Sequence, residues 1–386
     1  MTKEPILIAA ITGVGKTKIG RLDSISVNLL LKEALDKALA DAGMEISELE
    51  GLIVCPSLAE PKFMPAHDLA NYLQISENLK FCSSIDTGGA SPVSALILAK
   101  RLVETKVLRK VAVIAGDHIL SLGTKSLLER AGRSINHPQY QDFSKPVIPI
   151  LYDQIADWHM TTYGTSREQL AMVPVLMSRQ AAKNPDAMNR HELTVEEVLN
   201  SKNIASVTNI LECARPADGA GAVIVSSPDN NGILIIGGAE GAGLCYPPAE
   251  ISEKIFSAKK TVKTALEEAY ISDINTIKHF GIYDCFPICF IKFLEDAELA
   301  MKGCGGYWVE CMLKYTGEGY KLPVNTHGGL LSFGAPWEAP AIFSIIEAVL
   351  QIRGKCGERQ LTQASPALIY GNGGIFTSSA VAILSV

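Results

Sequence analysis

The chain has 386 residues, enough for two or three domain-sized units with sizeable cores. Its hydrophobic content of 47% is typical of a globular protein, and no apolar run approaches the roughly 20 residues that a membrane helix needs. A net charge of −6 excludes a general attraction to nucleic acid or anionic lipid, but it leaves room for a local basic patch that binds phosphate.

Nine cysteines are spread along the chain without a C-x-x-C pair, so their spacing predicts neither a zinc knuckle nor a disulfide framework. Most are expected to be buried thiols in a reducing compartment. The first residues lack the pattern of a signal or transit peptide. We therefore expect a cytoplasmic protein with no metal site and no permanently bound cofactor.

The first stretch with a chemical pattern is AITGVGKTKIG, residues 10–20, which ends like a phosphate-binding P-loop. An apolar run, Ile6–Ile11, predicts a strand that leads into it. However, the P-loop pattern requires a glycine where this chain has Ala10, and residues 19–23 do not begin a helix. Nucleotide binding is therefore the weaker interpretation of this stretch.

Two segments of the chain repeat each other. Helical periodicity across residues 24–43 predicts an amphipathic helix, and the apolar run GLIVC after it predicts a buried strand. The segment 34–55 resembles 265–285, and VAVIAGD at 111–117 resembles ALIYGNG at 367–373. Each half thus reads helix, strand, loop, helix, strand, which predicts a duplicated α/β unit whose parallel sheets pack through helices.

The region between the repeats, from residue 118 to about 215, is more polar and mostly helical. SREQLAMVPVLMSRQAAKNP is its clearest helix. The region predicts an inserted cap or loop domain. Its first part offers basic side chains for phosphate groups, although a solvated helical surface explains each of them equally well: Lys125, Arg130, Arg133 and Lys145.

Functional residues of parallel sheets gather at the carboxyl ends of the strands, and four loops there stand out by composition. The first is an elbow after a strand that ends near Ile85, and backbone N–H groups at such a helix N-terminus can bind an oxyanion. Its tip is Gly89, which has no side chain. Ser91 is expected to be the N-cap before Pro92, and the alternative role of nucleophile is weaker.

The other three loops carry different chemistry. The second, GIYDCFPICF, places Tyr283, Asp284 and Cys285 at a strand end, where they supply acid–base groups or simply end a strand above a core cysteine. The third, VNTHGGLLSFGAPWEAP, holds two glycine turns and His327. The fourth, residues 370–379, is a glycine-rich turn that predicts close approach of the backbone to a ligand.

These segments together resemble the thiolase superfamily, in particular the sterol-carrier-protein-type thiolases, over the full length of the chain. GVGKTKIGR resembles the family's opening strand and loop, G-x-x-R-T-x-x-G, so Lys16 belongs to a family loop and not to a phosphate site. YGTSREQLA and ARPADGAGAVIV resemble its middle region. YDCF resembles the loop that reads HDCF, and GGLLSFGAP resembles G-G-x-x-x-x-G-H-P.

The resemblance implies an α/β thiolase fold, with two similar βαβαβαββ halves in five αβαβα layers and an inserted loop domain that binds coenzyme A. We assign residues 1–117 and about 205–230 to the N-terminal half, 118–204 to the loop domain and 231–386 to the C-terminal half. The resemblance also implies an acyl-CoA ligand, a role in lipid metabolism, and a homodimer or homotetramer. An accessory acyl-CoA-binding subunit stays open.

Two residues of the family's catalytic set are absent. Thiolases form an acyl-enzyme on the cysteine of a C-x-S motif, which reads Gly89-Ala90-Ser91 here. The histidine of the GHP motif, which activates that cysteine, is replaced by Ala335. Cys285 matches the cysteine that moves the α-proton. The backbone N–H groups of Gly89, Gly373 and Gly374 match the remaining oxyanion hole.

Other candidate residues surround this set. Tyr283 is a candidate acid or base because cysteine-free aldolases of the superfamily use tyrosines, and Asp284 and His327 lie next to Cys285 and the lost histidine, respectively. The candidate acyl-binding and CoA-binding residues are Ser91, Lys125, Arg130 and Arg133.

Without a nucleophile, ordinary thiolysis cannot run. A coenzyme A site, an oxyanion hole and a proton-transfer group still suffice to stabilise an enolate, as in decarboxylation of a malonyl-type thioester or retro-aldol cleavage. We therefore predict a thiolase-like acyl-CoA-binding protein with such chemistry. Two alternatives remain: an acyltransferase that uses Ser91 or Cys82 as nucleophile, and a non-catalytic acyl-CoA-binding or scaffold subunit.

Overall fold

The computed structural model describes residues 8–23, 25–314 and 323–386, so the start of the predicted strand Ile6–Ile11 lies outside the described residues. The strands are β1 (Ala10–Lys16), β2 (Gly51–Val54), β3 (Phe81–Ser84), β4 (Lys110–His118), β5 (Asp218–Ser226), β6 (Ile233–Ala242), β7 (His279–Ile282), β8 (Ala367–Gly373) and β9 (Ser378–Ser385).

The α-helices are α1 (Val27–Ala42), α2 (Pro65–Tyr72), α3 (Ser91–Glu104), α4 (Gly123–Ile135), α5 (Val147–Tyr163), α6 (Arg167–Ala182), α7 (Val195–Leu199), α8 (Ala258–Glu268), α9 (Pro287–Asp296), α10 (Gly305–Lys314) and α11 (Pro340–Ile352).

The strands form a mixed sheet in the order β3-β2-β4-β5-β1-β6-β9-β8-β7. Strand β2 is parallel to β3 and β4, and β7 is parallel to β8, while the other neighbours are antiparallel. The first half joins the second where β1 pairs with β6, with Ala10 opposite Leu234. The two halves therefore share one continuous hydrogen-bonded sheet.

Helices cover both faces of each half of the sheet. Helix α1 packs on β1, β4 and β5, and α8 packs on β6 and β9. Helices α3 and α11 lie in the middle, where each contacts strands from both halves. Because these two helices are buried around most of their circumference, they are apolar on nearly every face. The prediction of parallel sheets from the duplication is wrong, because the central strands β5, β1, β6 and β9 pair antiparallel, whereas the predicted packing of helices between the two halves is present.

The first helix lies within the predicted range 24–43 and covers residues Val27–Ala42. The Ser26 side chain accepts a hydrogen bond from the Leu29 N–H group, and Gly43 ends the helix in the left-handed conformation, with φ of 63°. The apolar stripe of α1, which includes Leu30, Ala34 and Ala38, is buried against the sheet. Local capping signals and helical periodicity are sufficient to specify this element.

The opening glycine-rich stretch is a strand, and the structure corrects its boundaries. Strand β1 continues through Gly13, Gly15 and Lys16, which the P-loop interpretation placed in a loop. A Cβ atom on Gly13 would lie 2.2 Å from the Ala38 carbonyl oxygen, and one on Gly15 would lie 2.4 Å from the Ala34 carbonyl oxygen. The glycines are therefore needed for close packing of α1 on the strand, and phosphate binding does not explain them.

The region between β4 and β5 is mostly helical, as its composition predicts, and contains α4 to α7. Helix α6 begins with a reciprocal capping box between Ser166 and Gln169. Across the part of the chain that the structure describes, no helix combines the length and apolar character needed to cross a bilayer.

Candidate active site

The elbow of residues 85–91 lies against the loops that follow β7 and β8. An ideal Cβ atom on Gly89 would lie 2.1 Å from the Tyr283 hydroxyl oxygen and 2.6 Å from the Asn372 carbonyl oxygen. Position 89 is where the resemblance places the nucleophilic cysteine. The phenol of Tyr283 therefore occupies the space in which that cysteine side chain would stand.

Ser91 connects the elbow to the third loop. It is the first residue of α3 and not the residue before the helix, so the predicted N-cap role is wrong. Its hydroxyl oxygen accepts a hydrogen bond from the Thr87 N–H group at 2.8 Å and lies 3.2 Å from Oε2 of Glu338, to which it donates. Because Ser91 is fully buried, this pair of contacts fixes the shape of the elbow.

Tyr283 and Cys285 are both buried beside the elbow. Burial, reinforced by the nearby Cys285 and Glu338, raises the pKa of Tyr283 well above its ordinary value. The phenol is therefore neutral at physiological pH, so its hydroxyl group can donate a hydrogen bond. The Cys285 sulfur lies 3.5 Å from the Cys289 sulfur, and the Cys285 carbonyl oxygen accepts a hydrogen bond from the Ala214 N–H group.

Asp284 contacts the third loop, at Gly329 and Leu330. Its Oδ1 atom accepts a hydrogen bond from the Leu330 N–H group at 2.8 Å, and its Oδ2 atom would lie 2.1 Å from a Cβ atom on Gly329. Burial raises the pKa of Asp284 to about 7, although the backbone hydrogen bonds oppose this shift. The structure thus gives Asp284 an anchoring contact, and the acid–base role stays a prediction.

His327 lies in a separate buried environment. Its ring packs edge-on against Phe333, with 5.2 Å between ring centroids, and burial lowers its pKa to about 4, a shift that the nearby Glu347 partly offsets. Its carbonyl oxygen accepts a hydrogen bond from the Asn184 side chain. This neutral imidazole is packed as a core residue, which argues against the predicted catalytic role.

Position 335 offers no replacement for the missing histidine. Ala335 is buried, and its N–H group donates to the Arg215 carbonyl oxygen at 2.8 Å. Its carbonyl oxygen accepts from the Ala217 N–H group. The backbone of the third loop is therefore held in place, while the side chain at this position has no acid–base function.

The loop after β8 lies directly against the elbow. A Cβ atom on Gly373 would lie 1.7 Å from the Thr87 carbonyl oxygen, and Gly374 adopts a positive φ of 60°. The Tyr152 hydroxyl donates to the Gly374 carbonyl oxygen at 2.5 Å and accepts from the Asn372 side chain at 3.0 Å. The two loops from which the resemblance expects oxyanion-hole donors are thus adjacent.

The basic residues predicted to bind coenzyme A all lie on α4, and they are not equivalent. Arg130 donates to the Leu58 and Ala59 carbonyl oxygens, at 3.0 and 2.7 Å, and so holds a neighbouring loop. Arg133 is exposed and stacks over the Phe143 ring at 5.5 Å. Lys125 is exposed. Lys125 and Arg133 remain candidates for phosphate binding, while the Arg130 guanidinium already donates hydrogen bonds to backbone carbonyl groups.

The composition-based selection of site residues missed Glu338, which is half-buried and accepts the hydrogen bond from Ser91. Burial first, and then the nearby Asp86, raise the pKa of Glu338 to about 8, while hydrogen bonds from Ser91 and Trp337 oppose the shift. Trp337 has a positive φ of 47°, which is strained for a bulky residue and typical of functional loops. The sequence signal that could have found Glu338 is its place as an acidic residue in the glycine-containing loop GAPWEAP.

Comparisons with known proteins agree with this arrangement. The family described as thiolase C-terminal domain-like matches residues 250–386. The acetyl-CoA acetyltransferase of Methanothermobacter thermautotrophicus is 28% identical over 393 residues, which cover 97% of this chain and 99% of that protein. Sterol carrier protein 2 of Rattus norvegicus is 26% identical over 393 residues, covering 94% of this chain and 69% of that protein.

Solved structures share the fold over the whole chain. The Ltp2-ChsH2(DUF35) aldolase superposes with a TM-score of 0.83 and 24% identity, covering 98% of this chain and 99% of the matched chain. The C-terminal part of the chain thus matches a thiolase-like family, and nearly the full chain is similar to an acetyl-CoA acetyltransferase and to sterol carrier protein 2.

Proposed function

We propose that this protein is a carbon–carbon lyase that cleaves a β-hydroxyacyl-CoA by a retro-aldol reaction and does not perform thiolysis. The observation that carries the proposal is the position of the Tyr283 hydroxyl, which overlaps the space of a side chain at position 89. An acyl-enzyme needs a nucleophile at that position. A neutral phenol there instead presents a hydrogen-bond donor to the substrate.

The proposed reaction balances without a co-reactant. The β-hydroxyl group loses a proton, the Cα–Cβ bond breaks, and its electron pair moves to Cα to form the enolate of a shorter acyl-CoA. Backbone N–H groups of Gly89, Gly373 and Gly374 are proposed to hold the thioester oxygen during this step. The Cys285 thiol then protonates Cα, and the products are a carbonyl compound and the shorter acyl-CoA.

Retro-aldol cleavage is favoured here over decarboxylation of a malonyl-type thioester. The negative charges of Asp86 and Asp117 act on Glu338 beside the elbow and raise the pKa of its carboxyl group. A substrate with a free carboxylate would be repelled there, whereas a neutral β-hydroxyl group would not. An aldolase is also among the solved structures with the same fold.

The ligand and the partners are part of the same proposal. We propose that the loop domain, residues 118–204 between the two halves, holds coenzyme A and that Lys125 and Arg133 bind its phosphates. Since the aldolase with the same fold was solved with a DUF35 protein, an accessory acyl-CoA-binding subunit is proposed alongside a homodimer or homotetramer.

The proposal is tested by incubating the purified protein separately with a β-hydroxyacyl-CoA series, malonyl-CoA, and acetoacetyl-CoA plus coenzyme A. Products and intact protein mass are both measured by mass spectrometry. A carbonyl product with a shorter acyl-CoA and an unmodified protein supports the lyase. Thiolysis, or binding of every thioester without turnover, contradicts it, and the second result favours a non-catalytic binding subunit.

A second function, acyl transfer on Ser91, has one specific observation in its favour. The Ser91 hydroxyl lies 3.2 Å from the Glu338 carboxyl, which is the spacing of a nucleophile and its base. The same mass measurement separates the two functions, because an acylated Ser91 adds the acyl mass to the protein. Cys82 has no such support: it lies on β3, opposite Leu52 of β2, and burial raises the pKa of its thiol.

A further inference from the structure

Glu338 is a carboxyl group at the elbow that the proposed reaction leaves without a role. It contacts Ser91, which lies two residues after Gly89, and the Gly89 backbone is packed against the Tyr283 phenol. Glu338 and Tyr283 therefore both lie next to the same short turn, and Glu338 is near enough to raise the pKa of Tyr283.

The retro-aldol step needs a base, and the other acid–base groups of the site are unsuited to it. Tyr283 is protonated at neutral pH because burial disfavours its charged form. Asp284 is tied to the Leu330 N–H group beneath the third loop. Cys285 is assigned to the protonation of Cα. Asp86, another carboxyl group of the elbow, is exposed, and its Oδ1 atom accepts from the Gly88 N–H group at 3.5 Å. Glu338 is held beside Ser91 by a hydrogen bond, which gives it both the position and the chemistry for proton removal.

We infer that the Glu338 carboxylate removes the proton of the substrate β-hydroxyl group as the Cα–Cβ bond breaks, an inference that rests on the proposed lyase function. The oxygen keeps its electron pair and becomes the carbonyl oxygen of the departing aldehyde or ketone. The proton remains on Glu338 and passes to solvent, which the partial exposure of this residue permits. The substrate class is thereby narrowed to thioesters with a free hydroxyl group at Cβ.

The first test separates carbon–carbon cleavage from proton exchange at Cα. In deuterated water, a shorter acyl-CoA exchanges its α-protons through Cys285 and the oxyanion hole, and this reaction does not need a base at the β-oxygen. For Glu338→Gln, we expect kcat/KM for cleavage to fall by about 10²-fold or more, while α-proton exchange stays within about three-fold of the wild-type rate.

Each result of this test is decisive. A Glu338→Gln variant that cleaves like the wild type, or that loses exchange together with cleavage while still binding the thioester, overturns the role of Glu338. A wild-type protein that exchanges α-protons but cleaves no β-hydroxyacyl-CoA overturns it as well. A wild-type protein that performs neither reaction contradicts the proposed lyase and removes the basis of this inference.

The second test uses pH and two neighbouring residues that act on Glu338 in opposite directions. The charges of Asp86 and Asp117 raise the pKa of Glu338. Hydrogen bonds from Ser91 and Trp337 lower the pKa of Glu338. The other titratable groups near Glu338 are Tyr283 and Cys55. Because the base works when ionised, kcat/KM is expected to rise with pH through about 8.

Removing a hydrogen bond to the carboxylate should raise its pKa, and removing a nearby negative charge should lower it. Ser91→Ala is therefore expected to move the rising limb of the pH profile to higher pH, and Asp86→Asn to move it to lower pH. If Glu338 had only a structural role, neither substitution would shift the rising limb of the pH profile. Limbs that stay fixed, or that move in the same direction in both variants, contradict the assignment.

Discussion

The overlap between position 89 and Tyr283 predicts that Gly89→Ala is strongly destabilising. The new Cβ atom would lie 2.1 Å from Oη of Tyr283, 2.2 Å from its Cζ and 2.6 Å from the Asn372 carbonyl oxygen. Ordinary carbon contacts are about 3.5–4.0 Å, so three atoms overlap, and one of them belongs to the backbone. Because Tyr283 is buried, its ring cannot simply swing into solvent.

Overpacking of a buried site costs about 1–3 kcal/mol and occasionally more, and this overlap belongs at the upper end, at about 3 kcal/mol. The assay is denaturant-induced unfolding of Gly89→Ala beside Gly43→Ala as a control. Gly43 also lies at a backbone turn, with φ of 63°, but a Cβ atom there meets nothing within 4 Å. The control should therefore cost only the left-handed backbone strain, about 1 kcal/mol.

A double-mutant cycle identifies the partner in the clash. Tyr283→Ala should recover about 2 kcal/mol of the loss caused by Gly89→Ala, with the remainder due to the Asn372 carbonyl group. Tyr283→Phe should recover little, because the ring carbon Cζ remains 2.2 Å from the new atom. Equal losses in Gly89→Ala and Gly43→Ala, or no recovery with Tyr283→Ala, would refute the claim that the phenol fills the nucleophile's place.

Three further predictions follow from the site. Cys285→Ala should slow α-proton exchange in deuterated water by about 10²-fold, whereas Cys311→Ala, a buried cysteine on α10, should leave it unchanged; equal rates in both variants would rule out Cys285 as the α-proton group. His327→Phe should keep kcat/KM within about two-fold, because its ring packs against the core and not the elbow, and a large loss would restore its catalytic role. Asp284 has a folded pKa of about 7, so the protein should lose up to ~4 kcal/mol of unfolding free energy as pH rises from about 4 through 7. Asp284→Asn should reduce that slope in urea unfolding at several pH values, and an unchanged slope would contradict the burial argument.

Local patterns in the sequence predicted several helices and strands and the similarity to thiolases. The helix predicted across residues 24–43, the helix predicted within SREQLAMVPVLMSRQAAKNP and the duplicated helix–strand order all depend on short-range signals, and each one appears in the fold. Such signals work because hydrogen bonds at a helix end and the period of apolar residues depend on only a few neighbouring positions. The sequence alone also showed that position 89 has no cysteine and that position 335 has no histidine.

The tertiary structure decided what the catalytic residues can do. Glu338 and Ser91 are 247 residues apart in sequence, and no local pattern could bring them together. The glycines of β1 look like a phosphate-binding motif, yet they are explained by the approach of α1. Gly89 looked like a simple loss of the nucleophile, whereas the packing fills that place with Tyr283. Burial and long-range contacts set the pKa and the orientation of each group, and these quantities exist only after the chain has folded.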